Sequence, residues 1–177
     1  MAKILAFAGS NSSTSINLQL VKHTAAQIKN HEVRVLDMTR YPFPMYSADI
    51  EKQIGFSNSL VEFKNEFAQV DGVVLSVNEH NGNISAYFKN IVDWLSRLER
   101  TFLADKPILL MSASPGKGGA KNALSRAEQM LPYFGGKVVA TFSLPSFGQN
   151  LTSDGIVDAE MASKHHAALE AFLKEVS

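Results

Sequence analysis

The sequence predicts an α/β fold, a parallel sheet of five strands covered by helices on both faces. Three observations predict it. Short continuous apolar runs recur along the chain, as strands buried on both faces do. Longer segments between them carry apolar residues at helical spacing. The two kinds of segment alternate, which is the pattern of right-handed β-α-β crossovers.

The first run is Ile4 to Ala8, closed by Gly9. The small polar loop Ser10-Asn11-Ser12-Ser13-Thr14 follows, then a helical face of Leu18, Val21, Ala25 and Ile28. Val33 to Leu36 is the second strand. Residues 39–50 hold Pro42 and Pro44 and read as an irregular loop. Leu60, Phe63, Phe67 and Val70 mark a second amphipathic helix, broken by Asp71-Gly72 before the third strand, Val73 to Val77. Asn78 to Asn83 is a loop, and Ser85 caps a helix with Phe88, Ile91, Val92, Leu95 and Leu98 on its apolar face. Trp94 sits beside that stripe and reads as core or interface. Pro107 opens the fourth strand, Ile108 to Met111, and Ser112 to Gly119 form a third small-residue loop. Ala123, Ala127, Met130 and Phe134 make the next helical face, ended by Gly135-Gly136. Val138 to Phe142 is the fifth strand, and the last helix carries Met161, Leu169, Phe172 and Val176. Five strands in 177 residues fit a flavodoxin-like three-layer sandwich, order 2-1-3-4-5, as a single domain over residues 1–177.

Composition excludes several classes. Seventeen basic residues balance seventeen acidic ones. There is thus no basic surplus for nucleic acid and no polybasic patch for a membrane surface. With no cysteine, thiolate zinc sites, iron–sulfur clusters, disulfides and a cysteine nucleophile are ruled out. No run reaches the roughly 18 apolar residues of a membrane span, and the N-terminal run is too short for a secretory signal. The expectation is a cytoplasmic protein.

In an open parallel sheet, ligands bind beyond the carboxyl ends of the strands, where strand order reverses. The loops after strands one, three and four lie there, and they are the loops richest in Gly, Ser and Asn. The first looks like a phosphate site. Ser10, Ser12, Ser13, Thr14 and Ser15 offer hydroxyls, and the N–H groups near Ser15-Ile16-Asn17 open a helix whose dipole favours an anion. A plain helix cap with a flexible turn is the alternative. The second loop can set amides against a planar polar ring, or be a solvated turn around Asn81-Gly82. In the third, glycines allow close approach to the backbone, or simply make a β-to-α turn. Adjacent His165 and His166 cannot share one helix face as a metal pair, so no metal site is expected, and they read as solvated or packing residues. Gly-x-Ser-x-Gly is absent, which argues against an α/β-hydrolase.

Several segments together are familiar. Gly9-Ser10-x-x-x-x-Ser15-x-Asn17 resembles the phosphate loop of the NADPH-dependent FMN reductase family, which includes quinone, chromate and azo-dye reductases. Val77-Asn78-Glu79-His80-Asn81-Gly82 is similar to that family's Thr-Pro-Glu-Tyr-Asn-Gly loop. Phe88-Lys89-Asn90-x-x-Asp93-Trp94-Leu95-Ser96, Lys106-Pro107 and Ser112-Ala113-Ser114-Pro115-Gly116-x-Gly118-Gly119 continue the likeness in register. The resemblance implies bound FMN, with Ser10, Ser12, Ser15, Ile16 and Asn17 around its phosphate. Asn78, Glu79, His80 and Asn81 would border the ring, and Ser112, Ser114 and Gly116 would line its other side. It further implies NADPH or NADH as co-substrate, a small-molecule electron acceptor such as a quinone, and a homodimer or homotetramer. The flavin carries such chemistry, so no catalytic acid or base is expected. Three departures stand out: Ser12 replaces the family's arginine, Asn78 its proline and His80 its tyrosine. Two other functions fit the same loops, an FMN-binding electron-transfer module that oxidises no nicotinamide and a non-redox nucleotide-binding regulator.

Overall fold

A computed structural model describes residues 1–176. Five parallel strands form the central sheet: β1 (Lys3–Ala8), β2 (Glu32–Leu36), β3 (Gly72–Val77), β4 (Pro107–Ala113) and β5 (Lys137–Leu144). Counting the strands of this sheet alone, their spatial order is 2-1-3-4-5, as the alternation of runs and helices predicts. The chain steps from β1 outward to β2, then returns past β1 to β3. The reversal therefore falls between β1 and β3.

Right-handed crossovers fix which helix covers which face. Helices α1 (Ile16–Gln27) and α7 (Ala159–Val176) cover one side, where Leu20, Val21 and Phe172 pack on Ile4, Ala6, Val74 and Leu109. Helices α3 (Asn58–Ala68), α4 (Ala86–Leu98) and α5 (Lys121–Met130) cover the other, where Phe63, Phe67, Phe88, Ile91 and Ala127 meet Leu5, Phe7, Val73 and Leu75. Alternate residues of β1 and β3 thus serve opposite cores, which explains their nearly continuous apolar sequences. Trp94 lies in the core at 2% exposure.

The structure differs locally from the sequence reading in four places. Residues 39–50 are more regular than expected, with a 3-10 turn at Met38–Arg40 and a helix, α2 (Ala48–Ile54). Helix α2 buries no side chain, so it left no apolar period to read. A ladder of side chains on α4 holds this segment. Tyr87 Oη donates to the Met38 carbonyl at 2.8 Å, Asn90 Oδ1 accepts from Tyr46 N at 2.7 Å, Trp94 Nε1 donates to the Pro44 carbonyl at 2.8 Å, and Arg97 pairs with Glu51 at 2.8 Å. Second, β4 runs on through Ser112 and Ala113, which the sequence placed in a loop. Third, Phe134 belongs to a 3-10 turn, Leu131–Phe134, because Pro132 has no N–H with which to continue α5. Fourth, Glu79–His80 and Asn83–Ile84 pair as a small hairpin.

Downstream of β5, a short helix α6 (Phe147–Asn150) and a second hairpin, Leu151–Thr152 with Gly155–Ile156, lead into α7. His165 packs inside, its Nε2 2.8 Å from Thr24 Oγ1, while His166 is exposed. Burial, with His23 and His166 nearby, pushes His165 down to about 4. Among the described residues no helix is long and apolar enough to cross a membrane.

Candidate functional site

The reversal of strand order brings three loops to one cleft of about 250 Å³. The first loop contributes Ser10, Ser12, Thr14, Ser15, Ile16 and Asn17; the second, Asn78, Glu79 and His80; the third, Ala113, Ser114 and Pro115.

The first loop leaves β1 at Gly9, whose N–H donates to the Ser76 carbonyl at 2.9 Å. A Cβ at Gly9 would stand 2.7 Å from the Phe88 ring, so only glycine lets the chain turn here so close to α4. Ser85 joins the two: its hydroxyl donates to the Gly9 carbonyl at 3.1 Å and accepts from Phe88 N, capping α4. The loop hydroxyls then organise the loop itself. Ser10 Oγ accepts from Ser12 N, Ser12 Oγ accepts from Thr14 N, and Ser15 Oγ caps α1 through Leu18 N at 3.1 Å. What remains open is backbone. The N–H groups of Ser13, Ile16 and Asn17 have no acceptor among the described residues. They stand at the positive end of a 12-residue helix with no acidic residue in its first turn.

The Asn17 side chain is turned inward, and the residue is 2% exposed. Its Oδ1 accepts from Ser76 Oγ at 2.7 Å and from Ala113 N at 2.9 Å, while Nδ2 donates to the Ala113 carbonyl at 3.3 Å. A single buried amide thus ties α1 to the ends of β3 and β4.

In the second loop, Asn81 and Gly82 both have positive φ, 53° and 74°, which makes the two-residue type I′ hairpin turn that Asn-Gly favours. The turn carries Asn81 to the far side of the hairpin, beside Lys89 and Arg126 and outside the cleft lining. Glu79 caps α5: Oε2 accepts from Asn122 N at 3.0 Å and Ala123 N at 3.1 Å. Asn78 Nδ2 lies 3.3 Å from His80 Nε2, and Asn78 Oδ1 is buried with no partner among the described residues.

The third loop is closed on itself. Ser112, fully buried, donates to the Gly119 carbonyl at 2.6 Å, and Ser143 Oγ donates to the same oxygen at 2.8 Å. The Gly116 carbonyl accepts from Ser114 Oγ and Ser146 N. Gly119 has φ +64°, and a Cβ there would overlap Ser143 Oγ, so it must be glycine. Ser112 and Gly116 therefore support the loop from outside the cleft lining, whereas Ser114 reaches the cleft.

Sequence reasoning missed two supports, Ser76 and Ser143; it placed Ser85 as the cap of α4, as the structure has it, without its bond to the Gly9 carbonyl. Ser76 carried the one available signal: a hydroxyl inside the apolar run Val73 to Val77 must find a buried partner.

The donor set fits a mononucleotide. Unpaired N–H groups and hydroxyls at a helix start suit a phosphate. Glu79 is the only charged side chain among the residues lining the cleft, and its carboxylate is engaged by α5. Ile16, His80, Ala113 and Pro115 add flat or apolar surface for a ring.

This order of strands, with unpaired N–H groups of a helix start at the reversal, defines an α/β protein of flavodoxin type. The chain belongs to the NADPH-dependent FMN reductase family, whose sequence model matches residues 2–149. It is 33% identical over 96 residues to a quinone reductase of Escherichia coli (strain K12), covering 54% of this chain and 51% of that one. The match thus spans about half the length of that relative. An NADPH:quinone oxidoreductase of Arabidopsis thaliana is 25% identical over 69% of this chain and 63% of its own. Among solved structures, FerB, a flavoenzyme NAD(P)H:(acceptor) oxidoreductase from Paracoccus denitrificans, has the same fold. Its TM-score is 0.78 at 22% identity, covering 99% of this chain and 97% of that one.

Proposed function

We propose that this chain binds FMN across the three loops and acts as an NAD(P)H-dependent oxidoreductase toward a quinone-like or other small acceptor. One observation carries the reading: the cleft at the strand reversal combines unpaired N–H groups on α1 with flat walls from the second and third loops. Family membership supports the cofactor and the class of enzyme. When bound, the flavin would take hydride from the nicotinamide and pass electrons to the acceptor.

The chain's part is to bind and orient. Ser10, Ser12, Ser15, Ile16 and Asn17 surround the phosphate, the last two through backbone N–H. Asn78, Glu79, His80 and Ser114 frame the ring side, with Asn81, Ser112 and Gly116 bracing the loops behind it. No arginine stands at Ser12, so phosphate affinity rests on neutral donors and the α1 dipole.

Self-association as a homodimer or homotetramer belongs to the same proposal. It is supported by Met45, Ile54 and Phe56, apolar and exposed on the segment held by α4. A cytoplasmic location is part of it too.

The test is an absorption spectrum of the purified protein titrated with FMN, followed by anaerobic addition of NADPH or NADH and then a quinone. Flavin bands that bleach with nicotinamide and return with quinone are the expected result. Absence of FMN binding overturns the proposal. Bands that no nicotinamide bleaches reduce it to an electron-transfer module. Light scattering reads the oligomer.

A further inference from the structure

We propose that Asn17 is a positioning residue: its buried amide sets the phosphate-binding N–H groups of α1 in register with the ring-side loop, without spending its carbonyl on the ligand. The inference rests on the FMN-binding reading and assigns within it a role the family match does not supply.

The Asn17 carbonyl oxygen has two acceptor positions, and both are filled. Ser76 Oγ occupies one at 2.7 Å and Ala113 N the other at 2.9 Å. The amide nitrogen donates to the carbonyl of that same Ala113 at 3.3 Å. Asn17 and Ala113 therefore pair as two strand residues would, although 96 positions separate them in sequence. This fixes the assignment of the amide, since reversing it would set a donor against Ala113 N and an acceptor against Ala113 O.

The placement gives the pair its consequence. Asn17 lies in the first turn of α1, one residue after Ile16, where both N–H groups are unpaired. Ala113 is the last residue of β4 and itself lines the cleft, followed by Ser114 and Pro115. Ser76 sits between them on β3, at 0% exposure. One side chain thus joins α1 to β3 and β4 and fixes the distance from the anion donors to the loop that borders the ring. A ligand holding both subsites gains from that fixed distance; one holding a single subsite does not.

The discriminating measurement compares FMN with riboflavin, which share the ring and differ in the phosphate. Dissociation constants for both are measured by fluorescence titration of the full chain freed of flavin, in the wild type, Asn17→Ala and Ser76→Ala. Ser76 does not line the cleft, so Ser76→Ala loosens Asn17 while leaving every cleft-lining residue in place. The wild type is expected to prefer FMN. In Asn17→Ala that preference falls about tenfold, as the N–H groups lose their register, with riboflavin affinity unchanged. Ser76→Ala shifts the ratio the same way by a smaller factor, and it decides the matter if Asn17→Ala does not fold.

An unchanged FMN-to-riboflavin ratio in the variants overturns the inference. So does a parallel loss of both ligands, which would make Asn17 a general stabiliser. A wild type that binds neither flavin overturns the functional reading itself, and the inference with it.

Discussion

The first and third loops look alike in sequence, both short and built of small residues, serine in the first and serine with glycine in the third, yet they treat their polar groups in opposite ways. In the third, the polar groups answer one another: two serine hydroxyls share the Gly119 carbonyl, and Ser114 Oγ and Ser146 N share that of Gly116. In the first, hydroxyls satisfy the loop's turns, while the N–H groups of Ile16 and Asn17, both residues of the cleft lining, have no acceptor among the described residues. Small polar residues thus make either a closed scaffold or a binding surface. The neighbouring structure decides between the two. At the first loop, the orderly opening turn of α1 presents its orphan donors outward. The third loop instead folds against the 143–147 segment and is filled from there.

The largest expected effect strikes the closed loop. Gly119→Ala puts a Cβ onto Ser143 Oγ at a left-handed φ of +64°. It should cost about 3 kcal/mol of stability from strain and the displaced hydroxyl. Urea denaturation measures the loss, and the FMN-to-riboflavin affinity ratio should not change. A shifted ratio with little loss of stability would break the contrast between the loops.

The matching experiment on the open loop is Ile16→Pro. Ile16 is the first residue of α1, where proline is favoured, and the N–H it would lose has no acceptor among the described residues. Ser15, at φ −57° and ψ 116°, already has a backbone that tolerates a following proline. Fold and melting temperature should hold nearly constant while FMN affinity falls by about 2 kcal/mol, the worth of a charge-assisted donor. Calorimetry with FMN and with riboflavin reads it, and equal losses for both would assign the effect to the missing isoleucine side chain.

Why the two loops could not be told apart from sequence is a matter of range. The sheet order was legible because the central strands are mostly apolar runs and helical periods separate all five, and both signals are local. The three loops were legible as a set because each follows a strand. The partners that decide their behaviour are remote: Asn17 meets Ala113, Ser143 meets Gly119, and Glu79 meets the start of α5. No local pattern encodes those pairs. Helix α2 escaped for the converse reason, being local but burying nothing.

Glu79 extends the comparison to the second loop, because it caps the helix that leaves the third. Its carboxylate accepts from Asn122 N and Ala123 N, where a negative charge also opposes the α5 dipole. Glu79→Gln keeps the shape and one acceptor but loses the charge, for an expected cost of about 1 kcal/mol in stability. Salt should narrow the gap between variant and wild type, since such an interaction is screened. A gap that salt leaves untouched would mean that shape, not charge, makes the cap.

The smallest effect belongs to Asn78, whose amide resembles neither loop. Among the described residues its Oδ1 is buried without a partner, and Nδ2 reaches only His80 Nε2. Exchanging O and N cures nothing, because one amide atom stays unpaired in either orientation. An unpaired buried acceptor contributes no hydrogen bond to the folded state and carries its desolvation cost, so truncating it removes a penalty along with some packing. Asn78→Ala should therefore lie within about 0.5 kcal/mol of the wild type, or slightly above it in stability. A loss well beyond that, read by the same urea denaturation, would show that the amide is hydrogen-bonded in solution. The second loop would then behave like the third, closed on its own polar groups, and the open donors of α1 would stand alone at the cleft.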